Sequence, residues 1–233
     1  MTRILLFGAG GRMGRSIAAT AAARDDVEIV TEAPDLYVDF SAPAALDQNL
    51  ATAVAAGKPI LVGTTGLTPD HHRSIDEAAA TVAVLQAANT SLGVAVLRVL
   101  VEQAARLLGP DWDAEILEMH HRDKLDTPSG TALLLGASIN KGRGAAGPAD
   151  LNRFDRMQEG PHAREPGGVY YASLRGGTVA GEHQAIFAGE GERIELGHRA
   201  DSRTIFAKGA IRAALWLKER PAGRYTMADV LGL

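Results

Sequence analysis

The sequence predicts an α/β protein that begins with a Rossmann-like parallel sheet and continues into a second part of α+β character. Ile4–Phe7 is a short, wholly apolar segment of the kind that forms a strand buried on both faces, and it leads directly into a glycine-rich turn. Short apolar segments then alternate with helix-favouring segments, which is typical of parallel strands joined by helices. In the second half, three strand-like segments follow with hairpin-type spacing, which predicts an antiparallel or mixed sheet.

The individual elements follow from the hydrophobic pattern and from start and stop residues. In the first half, strands are expected at Ile4–Phe7, Val27–Val30, Leu36–Phe40, Pro59–Gly63 and Val82–Leu85, and helices at Arg15–Arg24, at Ala44–Ala56, and from a cap at Thr68 or Asp70 to about Ala80. In the second half, helices are expected at Gly93–Leu108, Ser129–Ser138 and Thr204–Leu217, strands at Ala114–Met119, Val169–Arg175, Gln184–Ala188 and Arg193–Arg199, and a long polar loop at Lys141–Pro166.

One connection conflicts with this pattern. Only Thr31–Asp35 separates the second predicted strand from the third, whereas a parallel crossover needs about a dozen residues and usually contains a helix. Either the crossover is reduced to an irregular link, or the strands are arranged unusually, or the chain lacks residues here.

Composition excludes several classes of function. The chain has 233 residues, a formal net charge of −4 and 5% aromatic residues, so neither a basic field nor stacking platforms for nucleic acid are expected. It has no cysteine, which excludes disulfides, thiolate metal sites and cysteine nucleophiles. The apolar run near the N-terminus is too short for a signal-peptide core or a membrane span. We therefore expect a cytoplasmic protein that binds neither nucleic acid nor membrane.

The glycine-rich turn Gly8–Gly14 is the first candidate site. Its spacing is close to the dinucleotide fingerprint, with the third glycine one residue late. Gly8 permits a tight turn, Gly10 and Gly11 let the backbone approach a pyrophosphate, and the following helix presents its N-terminal N–H groups. Arg12 can add a positive charge near a phosphate. A plain strand-to-helix turn could also carry glycines, but the strand, the turn and the helix together favour dinucleotide binding.

Glu32 is the candidate for the adenosine end of that site. It lies 18 residues after Gly14, near the position where an acidic residue binds the ribose hydroxyls. No arginine follows it to accept a 2′-phosphate, which favours NADH. Because Glu32 lies in the short link, it is equally well interpreted as an exposed loop acid.

The densest polar chemistry lies at Glu118–Ala132, between a predicted strand and a predicted helix. His120–His121 and Lys124 can act together on a ligand, and the backbone at Ser129–Thr131 opens a helix and can bind a carboxylate. The alternative is a charged surface loop. His71–His72, which begins a polar helix, is interpreted as a solvated pair. No metal site is predicted because no third ligand follows at a diagnostic spacing, and no GxSxG elbow indicates a serine nucleophile.

Seven motifs occur in a fixed order along nearly the whole chain. They are GAGGRMGR at the start, VDFSAP at 38–43, VGTTG at 62–66, AANTSLG at 87–93, EMHHRDKLDTPSGTA at 118–132, GEH at 181–183 and HRADSRTIFAKGAIRAALWL at 198–217. Together they resemble the pattern of the 4-hydroxy-tetrahydrodipicolinate reductase family, also called dihydrodipicolinate reductase. The block from the histidines to PSGTA is the most specific of them.

The resemblance implies an NADH- or NADPH-dependent reductase of lysine and diaminopimelate biosynthesis. Family members reduce the cyclic condensation product of aspartate semialdehyde and pyruvate, a small dicarboxylate, to tetrahydrodipicolinate. The resemblance also implies a dinucleotide-binding domain at residues 1–91 plus 204–233 and an inserted α+β domain for substrate binding and tetramerisation at 92–203. The sheets of the inserted domain would pack together in a homotetramer.

Roles for individual residues are implied by the same resemblance. His120 is the expected proton donor and acceptor and Lys124 a second proton donor, while His121 and the Gly130–Thr131 backbone would hold the substrate carboxylates. Arg203 would close on the same anion. The residues expected to bind the cofactor, with Glu32 included on its spacing, are Gly8, Ala9, Gly10, Gly11, Arg12, Met13, Glu32, Gly63, Thr64, Thr65, Ala87, Ala88, Asn89 and Thr90.

Two departures from the family pattern concern the cofactor. The region after the second strand is shorter than usual and lacks the usual acidic–basic pair, which leaves NADH and NADPH both open. Thr90 stands where an aromatic residue is common.

Two other functions remain open. One is another two-domain nicotinamide dehydrogenase of an amino or keto acid, which has no reason to carry His120, Lys124 and Gly130–Thr131 together. The other is a non-catalytic dinucleotide-binding module.

Overall fold

The structure, a computed structural model, describes residues 1–145, 147, 151–154 and 160–233. The chain divides into two compact units. The first unit comprises Met1–Leu92 and Arg203–Leu233, and the second comprises Gly93–Ser202. Each unit has its own sheet and its own apolar core.

The elements are numbered in chain order. The first are β1 (Thr2–Phe7), α1 (Arg12–Ala21), β2 (Val27–Val30), β3 (Leu36–Asp39), α2 (Leu46–Ala56), β4 (Ile60–Val62), α3 (Pro69–Ala79), β5 (Ala83–Gln86) and α4 (Leu92–Leu108). They are followed by β6 (Asp113–His120), α5 (Gly130–Gly142), β7 (Asn152–Arg153), β8 (Val169–Arg175), β9 (Glu182–Ala188), β10 (Arg193–Arg199), α6 (Thr204–Leu217), β11 (Gly223–Tyr225) and α7 (Met227–Leu231).

The first unit is built on a six-stranded parallel sheet in the order β11-β5-β4-β3-β1-β2. Helices α2 and α3 cover one face around an apolar core, and α1 and α6 pack together against the other. The chain continues from β1 to β2 on one side and later places β3 on the other side of β1. The carboxyl ends of β1 and β3 therefore form the topological switch point, where sheets of this kind bind ligands. The predicted Rossmann-like fold is confirmed.

The short link between β2 and β3 is possible because these two strands do not pair with each other. Both pair with β1, on opposite sides, with Val30 level with Leu5 and Leu36 level with Ile4. The link therefore crosses two strand spacings, about 10 Å, and steps back by only one residue. Five extended residues can reach about 17 Å, so no helix is needed.

Side chains of the first unit fasten this link. The Arg3 amide donates to Asp35 Oδ2 (2.9 Å), and the Arg3 guanidinium donates to the carbonyl of Glu32 (3.0 Å). Lys218 lies 3.3 Å from the same Asp35 oxygen. Between them, Ala33 adopts a left-handed φ of 44°. The link is thus irregular, and the strand arrangement around β1 explains how it closes.

The second unit is built on a five-stranded mixed sheet in the order β10-β9-β6-β8-β7. Strands β6, β7 and β8 are parallel, whereas β9 pairs antiparallel with both β6 and β10. Helices α4 and α5 contribute to the apolar core on one face of this sheet. Neither of these two helices covers the other face, where Leu117, Met119 and Leu174 remain partly exposed.

Two helices begin two or more residues away from their predicted start. Helix α1 begins at Arg12 rather than Arg15, because Gly11 at the end of the turn is itself the N-cap. Helix α2 begins at Leu46, since Pro43–Ala45 forms a separate 3-10 turn before it. Both differences arise because a proline or glycine sets the local backbone before the apolar pattern begins.

The structure assigns the cap of α3 to Thr68 and not to Asp70. The Thr68 hydroxyl accepts from the His71 amide, and the His71 ring accepts from the Thr68 amide at 3.0 Å. This reciprocal pair is a capping box. His71 is therefore part of a helix cap, while its neighbour His72 lies near the Arg224 guanidinium (3.2 Å). Both histidines lie partly exposed at the start of a polar helix, as interpreted from the sequence, and each also has a hydrogen-bond partner in the protein.

Two regions contain more regular structure than predicted. Helix α5 continues to Gly142, and β7 pairs with β8, so the predicted loop 141–166 is interrupted. Residues 146, 148–150 and 155–159 of that loop lie outside the described residues. Strand β11 and helix α7 were not predicted. Because β11 has only three residues and a polar sequence, its conformation depends on pairing with β5 rather than on any local pattern.

Candidate active site

In the first unit, the glycine-rich turn follows β1 at the switch point. Gly8 has a left-handed φ of +79°, and a Cβ there would lie 2.4 Å from the Phe40 carbonyl oxygen. A Cβ on Gly14 would lie 2.2 Å from the Gly8 carbonyl oxygen. In contrast, nothing lies within 4 Å of a Cβ built on Gly10. The turn is therefore tightly packed at Gly8 and Gly14 and open at Gly10.

Helix α1 begins directly after this turn and has no side-chain cap. Its N-cap is Gly11, and the exposed residues Arg12 and Gly10 flank it. Arg15 donates to the Gly10 carbonyl at 2.5 Å, which fixes the outer part of the turn. An uncapped helix N-terminus with an open glycine in front of it fits an anion such as a pyrophosphate.

A buried carboxylate joins two of the sequence motifs in this unit. Asp39, at the end of β3, is fully buried, and its Oδ1 accepts from the Ser41 amide (2.8 Å), the Ser41 hydroxyl (2.6 Å) and the Thr64 hydroxyl (3.2 Å). The Phe40 ring covers Gly63, where a Cβ would lie 2.3 Å from the ring. The loops that follow β3 and β4 therefore support each other. Sequence reasoning missed Asp39, although an acid in an otherwise apolar strand was a usable signal.

The loop after β5 is anchored to α6. The Thr90 hydroxyl donates to the Phe206 carbonyl at 2.7 Å, and a Cβ on Gly209 would lie 1.8 Å from the Thr90 carbonyl oxygen. The Asn89 side chain accepts from the Ser91 amide at 2.9 Å. Thr90 therefore holds the loop in place from a buried position.

The predicted cofactor residues gather at one edge of the first sheet. Gly8–Met13, Gly63–Thr65 and Ala87–Thr90 follow the carboxyl ends of β1, β4 and β5, which are parallel. Thr64 and Thr90 are buried and donate to protein oxygens, as described above, whereas Thr65 and Ala88 are exposed. Glu32 follows β2 and is also exposed.

In the second unit, β6 places Glu118 and His120 on the same face. Every second residue of β6 is buried, beginning with Ala114 and Ile116. Glu118 is 1% exposed, and its Oε2 lies 2.5 Å from His120 Nδ1. An ionised carboxylate can only accept hydrogen bonds, so the Nδ1 of His120 carries a proton and donates a hydrogen bond to Glu118.

Arg175 on β8 completes the environment of Glu118. Its terminal nitrogens donate to both carboxylate oxygens at 2.9 and 2.8 Å, and the Ser129 amide donates to Oε1 at 3.2 Å. Burial alone raises the pKa of Glu118, but hydrogen bonds from His120, Arg175 and Ser173 outweigh burial and lower the pKa to about 2. Glu118 is therefore ionised near neutral pH.

Ser129 and His183 lie beside this pair. Ser129 is the N-cap of α5: its hydroxyl accepts from the Ala132 amide at 3.2 Å and lies 3.0 Å from His183 Nε2. The rings of His183 and His120 are packed edge to face, with centroids 5.0 Å apart. Burial is the main cause that lowers the pKa of His183 to about 4, and electrostatic repulsion between the two histidines adds to it. His183 is therefore neutral near pH 7.

The remaining predicted residues of this unit lie in the loop between β6 and α5. Lys124 Nζ is 2.7 Å from Asp126 Oδ1, and the Lys124 amide donates to the His121 carbonyl at 3.2 Å. Gly130 and Thr131 form the first turn of α5, and a Cβ built on Gly130 would meet nothing within 4 Å. The space in front of this helix N-terminus is thus open at Gly130.

Sequence reasoning identified the histidines and Lys124 but missed the residues that surround them. Glu118 could have been found from the alternation along β6, because it lies two residues before His120 on the same face. His183 lies in the GEH motif, which was noted without a role. Arg175 is 55 residues away from His120 in sequence and carries no local signal; only the pairing of β6 with β8 brings it there.

No group of three or more histidine, aspartate or glutamate side chains among the described residues could hold a metal ion. None of the helices in that part of the chain is both long enough and apolar enough to cross a membrane.

Comparison with known proteins establishes the family. The sequence profile described as dihydrodipicolinate reductase, N-terminus, matches residues 22–90, and the profile described as dihydrodipicolinate reductase, C-terminus, matches residues 93–231. The chain belongs to the dihydrodipicolinate reductase family. It is 51% identical to the 4-hydroxy-tetrahydrodipicolinate reductase of Zymomonas mobilis, in an alignment that covers 99% of this chain and 97% of that protein. Its identity to the reductase of Afipia carboxidovorans is 43%, with the same coverage.

The fold comparison agrees with this assignment. A dipicolinate-bound dihydrodipicolinate reductase from Paenisporosarcina sp. TG-14 superposes with a TM-score of 0.79 over 98% of both chains, at 22% identity. Family membership confirms three predictions: an NAD(P)H-dependent oxidoreductase, the reduction of 4-hydroxy-tetrahydrodipicolinate, and a place in lysine and diaminopimelate biosynthesis.

Proposed function

We propose that the two units divide the work of the reductase, with the first unit binding the dinucleotide and the second binding the substrate and donating the proton. The observation that carries the proposal is the Glu118–His120 pair beside the first turn of α5. A histidine held by a buried carboxylate is a typical general acid, and a helix N-terminus binds carboxylates. The substrate of the family is a dicarboxylate that must gain a proton when it is reduced.

The first unit is proposed to bind the cofactor at the carboxyl edge of its sheet. When bound, the reduced nicotinamide supplies the hydride. The pyrophosphate is assigned to Gly8–Met13, because the turn is open at Gly10 and α1 is uncapped. Gly63–Thr65 and Ala87–Thr90 are assigned to the ribose and nicotinamide. Since the hydroxyls of Thr64 and Thr90 are bonded within the protein, these loops would contact the cofactor mainly through backbone groups.

Proton donation is assigned to His120 and Lys124. Because Glu118 accepts from Nδ1 of His120, the proton given to the substrate leaves from Nε2. This proton neutralises the negative charge that develops on the reduced ring, and histidine titrates in a range suited to the task. Lys124, which forms an ion pair with Asp126, is assigned the second donation and balances the charge of the substrate carboxylates.

The substrate carboxylates are assigned to His121 and to the first turn of α5. The Gly130–Thr131 backbone offers N–H groups and the positive end of the helix dipole, and the space in front of Gly130 is open. The role predicted for Arg203 stays a prediction.

The proposal includes a homotetramer in the cytoplasm. The face of the second sheet that α4 and α5 do not cover supports the assembly, because Leu117, Met119 and Leu174 are partly exposed on it, Leu174 by 48%. An apolar sheet face of this kind is suited to packing against the same face of another copy.

Turnover of two variants tests the proposed roles. We expect purified protein to oxidise NADH or NADPH only when the condensation product of aspartate semialdehyde and pyruvate is supplied. His120→Gln and Lys124→Ala should each lower kcat by about a hundredfold or more, because each removes a proton donor, while the Kd for the nucleotide stays within about twofold. His162→Gln, at an exposed histidine, serves as the control and should keep full activity. Near-normal turnover of either variant would remove that residue from the mechanism.

A further inference from the structure

Arg175 connects the two proposed proton donors. All five N–H groups of its guanidinium are used: two donate to Glu118, one to the Lys124 carbonyl (3.3 Å), one to the Asp126 carbonyl (2.7 Å) and one to the Leu174 carbonyl (2.7 Å). One side chain thus holds both the carboxylate that contacts His120 and the backbone of the loop that carries Lys124. A role in holding Glu118 alone would not need the contacts to the loop.

Glu118 determines which nitrogen of His120 can react. As an ionised carboxylate it accepts from Nδ1, so His120 gives the substrate its Nε2 proton as the imidazolium, and the neutral ring that remains keeps its proton on Nδ1 and has its lone pair on Nε2. The bidentate pair with Arg175 and the bond from the Ser129 amide leave Glu118 no freedom to rotate toward another partner.

The absence of a side chain at Gly181 leaves space beside Nε2 of His120, the atom that the substrate must reach. Gly181 lies beside it, and a Cβ at that position would be 3.0 Å from Nε2 and 3.4 Å from Cδ2 of His120. Any residue other than glycine would therefore crowd the reacting nitrogen. The φ of +153° at Gly181 also disfavours other residues.

We propose that Glu118 and Arg175 are positioning residues of the reductase: Glu118 fixes His120 as the Nδ1–H tautomer with Nε2 directed to the substrate, and Arg175 holds Glu118 and the Lys124 loop in one arrangement. The inference rests on the proposed role of His120 as proton donor. Neither residue is assigned a contact with the substrate.

Glu118→Gln tests the tautomer directly. The amide keeps the shape of the side chain, but only one of its two ends can accept. If its oxygen stays with Arg175, its NH2 group faces His120 and favours the Nε2–H tautomer. We expect kcat to fall by about 10²–10⁴-fold, as when the orienting acid of a catalytic triad becomes an amide, with the KM for the nucleotide within about twofold. In ¹⁵N spectra of the histidine rings at alkaline pH, the signal of His120 should change from the Nδ1–H to the Nε2–H pattern. His120→Gln identifies that signal by its loss.

Arg175→Lys tests the second half of the proposal. Lysine keeps one positive charge but has only three donors on a single nitrogen, so it cannot hold both Glu118 and the Lys124 loop. We expect kcat to fall by about tenfold or more, because the contacts to the Lys124 loop are lost. His120 should stay in the Nδ1–H form, because the lysine ammonium and the Ser129 amide still hold Glu118. Arg153→Lys, at a partly exposed arginine of the same unit that pairs with Glu165, is the matched control and should retain wild-type kcat.

The outcomes separate this inference from the proposed function. Normal turnover of His120→Gln would refute the proposed function itself. Loss of turnover in His120→Gln, but normal kcat or an unchanged Nδ1–H signal in Glu118→Gln, would overturn the positioning role of Glu118 alone. Normal kcat in Arg175→Lys would overturn the role of Arg175. If Glu118→Gln does not fold, the wild-type spectrum decides: an Nε2–H tautomer in the wild-type protein contradicts the inference, and an Nδ1–H tautomer supports it.

Discussion

Each unit of this protein contains a buried carboxylate near its candidate site, and the two are held in different ways. Asp39 in the first unit is bonded only by neutral groups, two hydroxyls and an amide, all at Oδ1; its Oδ2 has no hydrogen-bond partner among the described residues. Glu118 in the second unit is bonded at both oxygens, by Arg175, by His120 and by a backbone amide.

The difference indicates what each carboxylate does. The neutral donors around Asp39 hold two loops together but do not determine the protonation of another side chain. Asp39 accordingly joins the loops after β3 and β4, where no proton transfer is proposed. A carboxylate paired with arginine stays ionised and can dictate the protonation of a third group. Glu118 does this for His120. The two acids are therefore alike in burial but differ in effect. Asp39 holds the backbone of two loops, and Glu118 determines which nitrogen of His120 is protonated.

Replacing each carboxylate by the corresponding amide should show the difference between the two sites most clearly. Glu118→Gln removes a charge from a network of charged partners and should lower the free energy of unfolding by about 2–3 kcal/mol. Asp39→Asn keeps the accepting oxygen and changes only Oδ2, so it should cost less than about 1 kcal/mol. Urea denaturation of the two variants beside the wild type measures both values. Equal losses would mean that Arg175 and His120 contribute no more than hydroxyl groups do.

Acid sensitivity gives the second-largest effect, and it belongs to the second unit. His183 has a folded pKa of about 4, below its ordinary 6.5, because of burial and then of the charge on His120. A depressed pKa stabilises the fold above pH 6.5, and this contribution is lost as the pH falls towards 4. Between pH 7 and pH 5 we expect a loss of about 2 kcal/mol in the free energy of unfolding.

His183→Gln is the variant that tests this assignment. It should remove the part of the loss between pH 7 and pH 5 that belongs to His183, since glutamine does not titrate; the pKa of His198, which burial also lowers, accounts for a further loss of the same sign. Glu118 does not interfere, because its depressed pKa of about 2 makes its contribution disappear only below its ordinary 4.5. An undiminished pH dependence in His183→Gln would assign the effect to other groups.

In the first unit, substitutions at two glycines of the same turn should have different effects, one on stability and the other on nucleotide binding. Gly14→Ala places a Cβ 2.2 Å from the Gly8 carbonyl and should lower Tm, because backbone must move. Gly10→Ala places its Cβ in open space and should leave Tm unchanged, yet weaken nucleotide binding about tenfold, since a pyrophosphate needs the backbone there. Thermal unfolding and fluorescence titration with NADH measure the two effects. Wild-type nucleotide affinity in Gly10→Ala would contradict the assignment of the pyrophosphate to this turn.

Much of the fold could be predicted from local patterns, and the exceptions share a cause. The glycine turn after Ile4–Phe7 and the alternation of elements were sufficient for the Rossmann-like unit. Strand β11 was missed because three polar residues become a strand only through pairing with β5. The short link looked impossible because sequence order suggests that β2 and β3 are neighbours, whereas β1 lies between them. Both errors arise because local sequence patterns do not show which distant strands pair with each other.

The candidate site shows the same division. His120, His121 and Lys124 lie in one dense segment and were found together. Of the two residues proposed to position them, Glu118 lies on the same strand as His120, whereas Arg175 comes from β8. A pattern can indicate which residues carry chemistry, but their orientation depends on partners that the sheet supplies.

The smallest expected effect concerns the choice between NADH and NADPH at Glu32. The link after β2 contains this exposed acid and no arginine, and the Arg3 guanidinium is bonded to the Glu32 carbonyl. The carboxylate should therefore favour ribose hydroxyls over a 2′-phosphate. We expect Glu32→Gln to lower the ratio of kcat/KM with NADH to that with NADPH by about threefold, because removing one exposed charge changes binding by only about 0.7 kcal/mol. Glu28→Gln, at an exposed acid on β2, is the control. The same change in both variants would indicate a general charge effect rather than a contact of Glu32 with the cofactor.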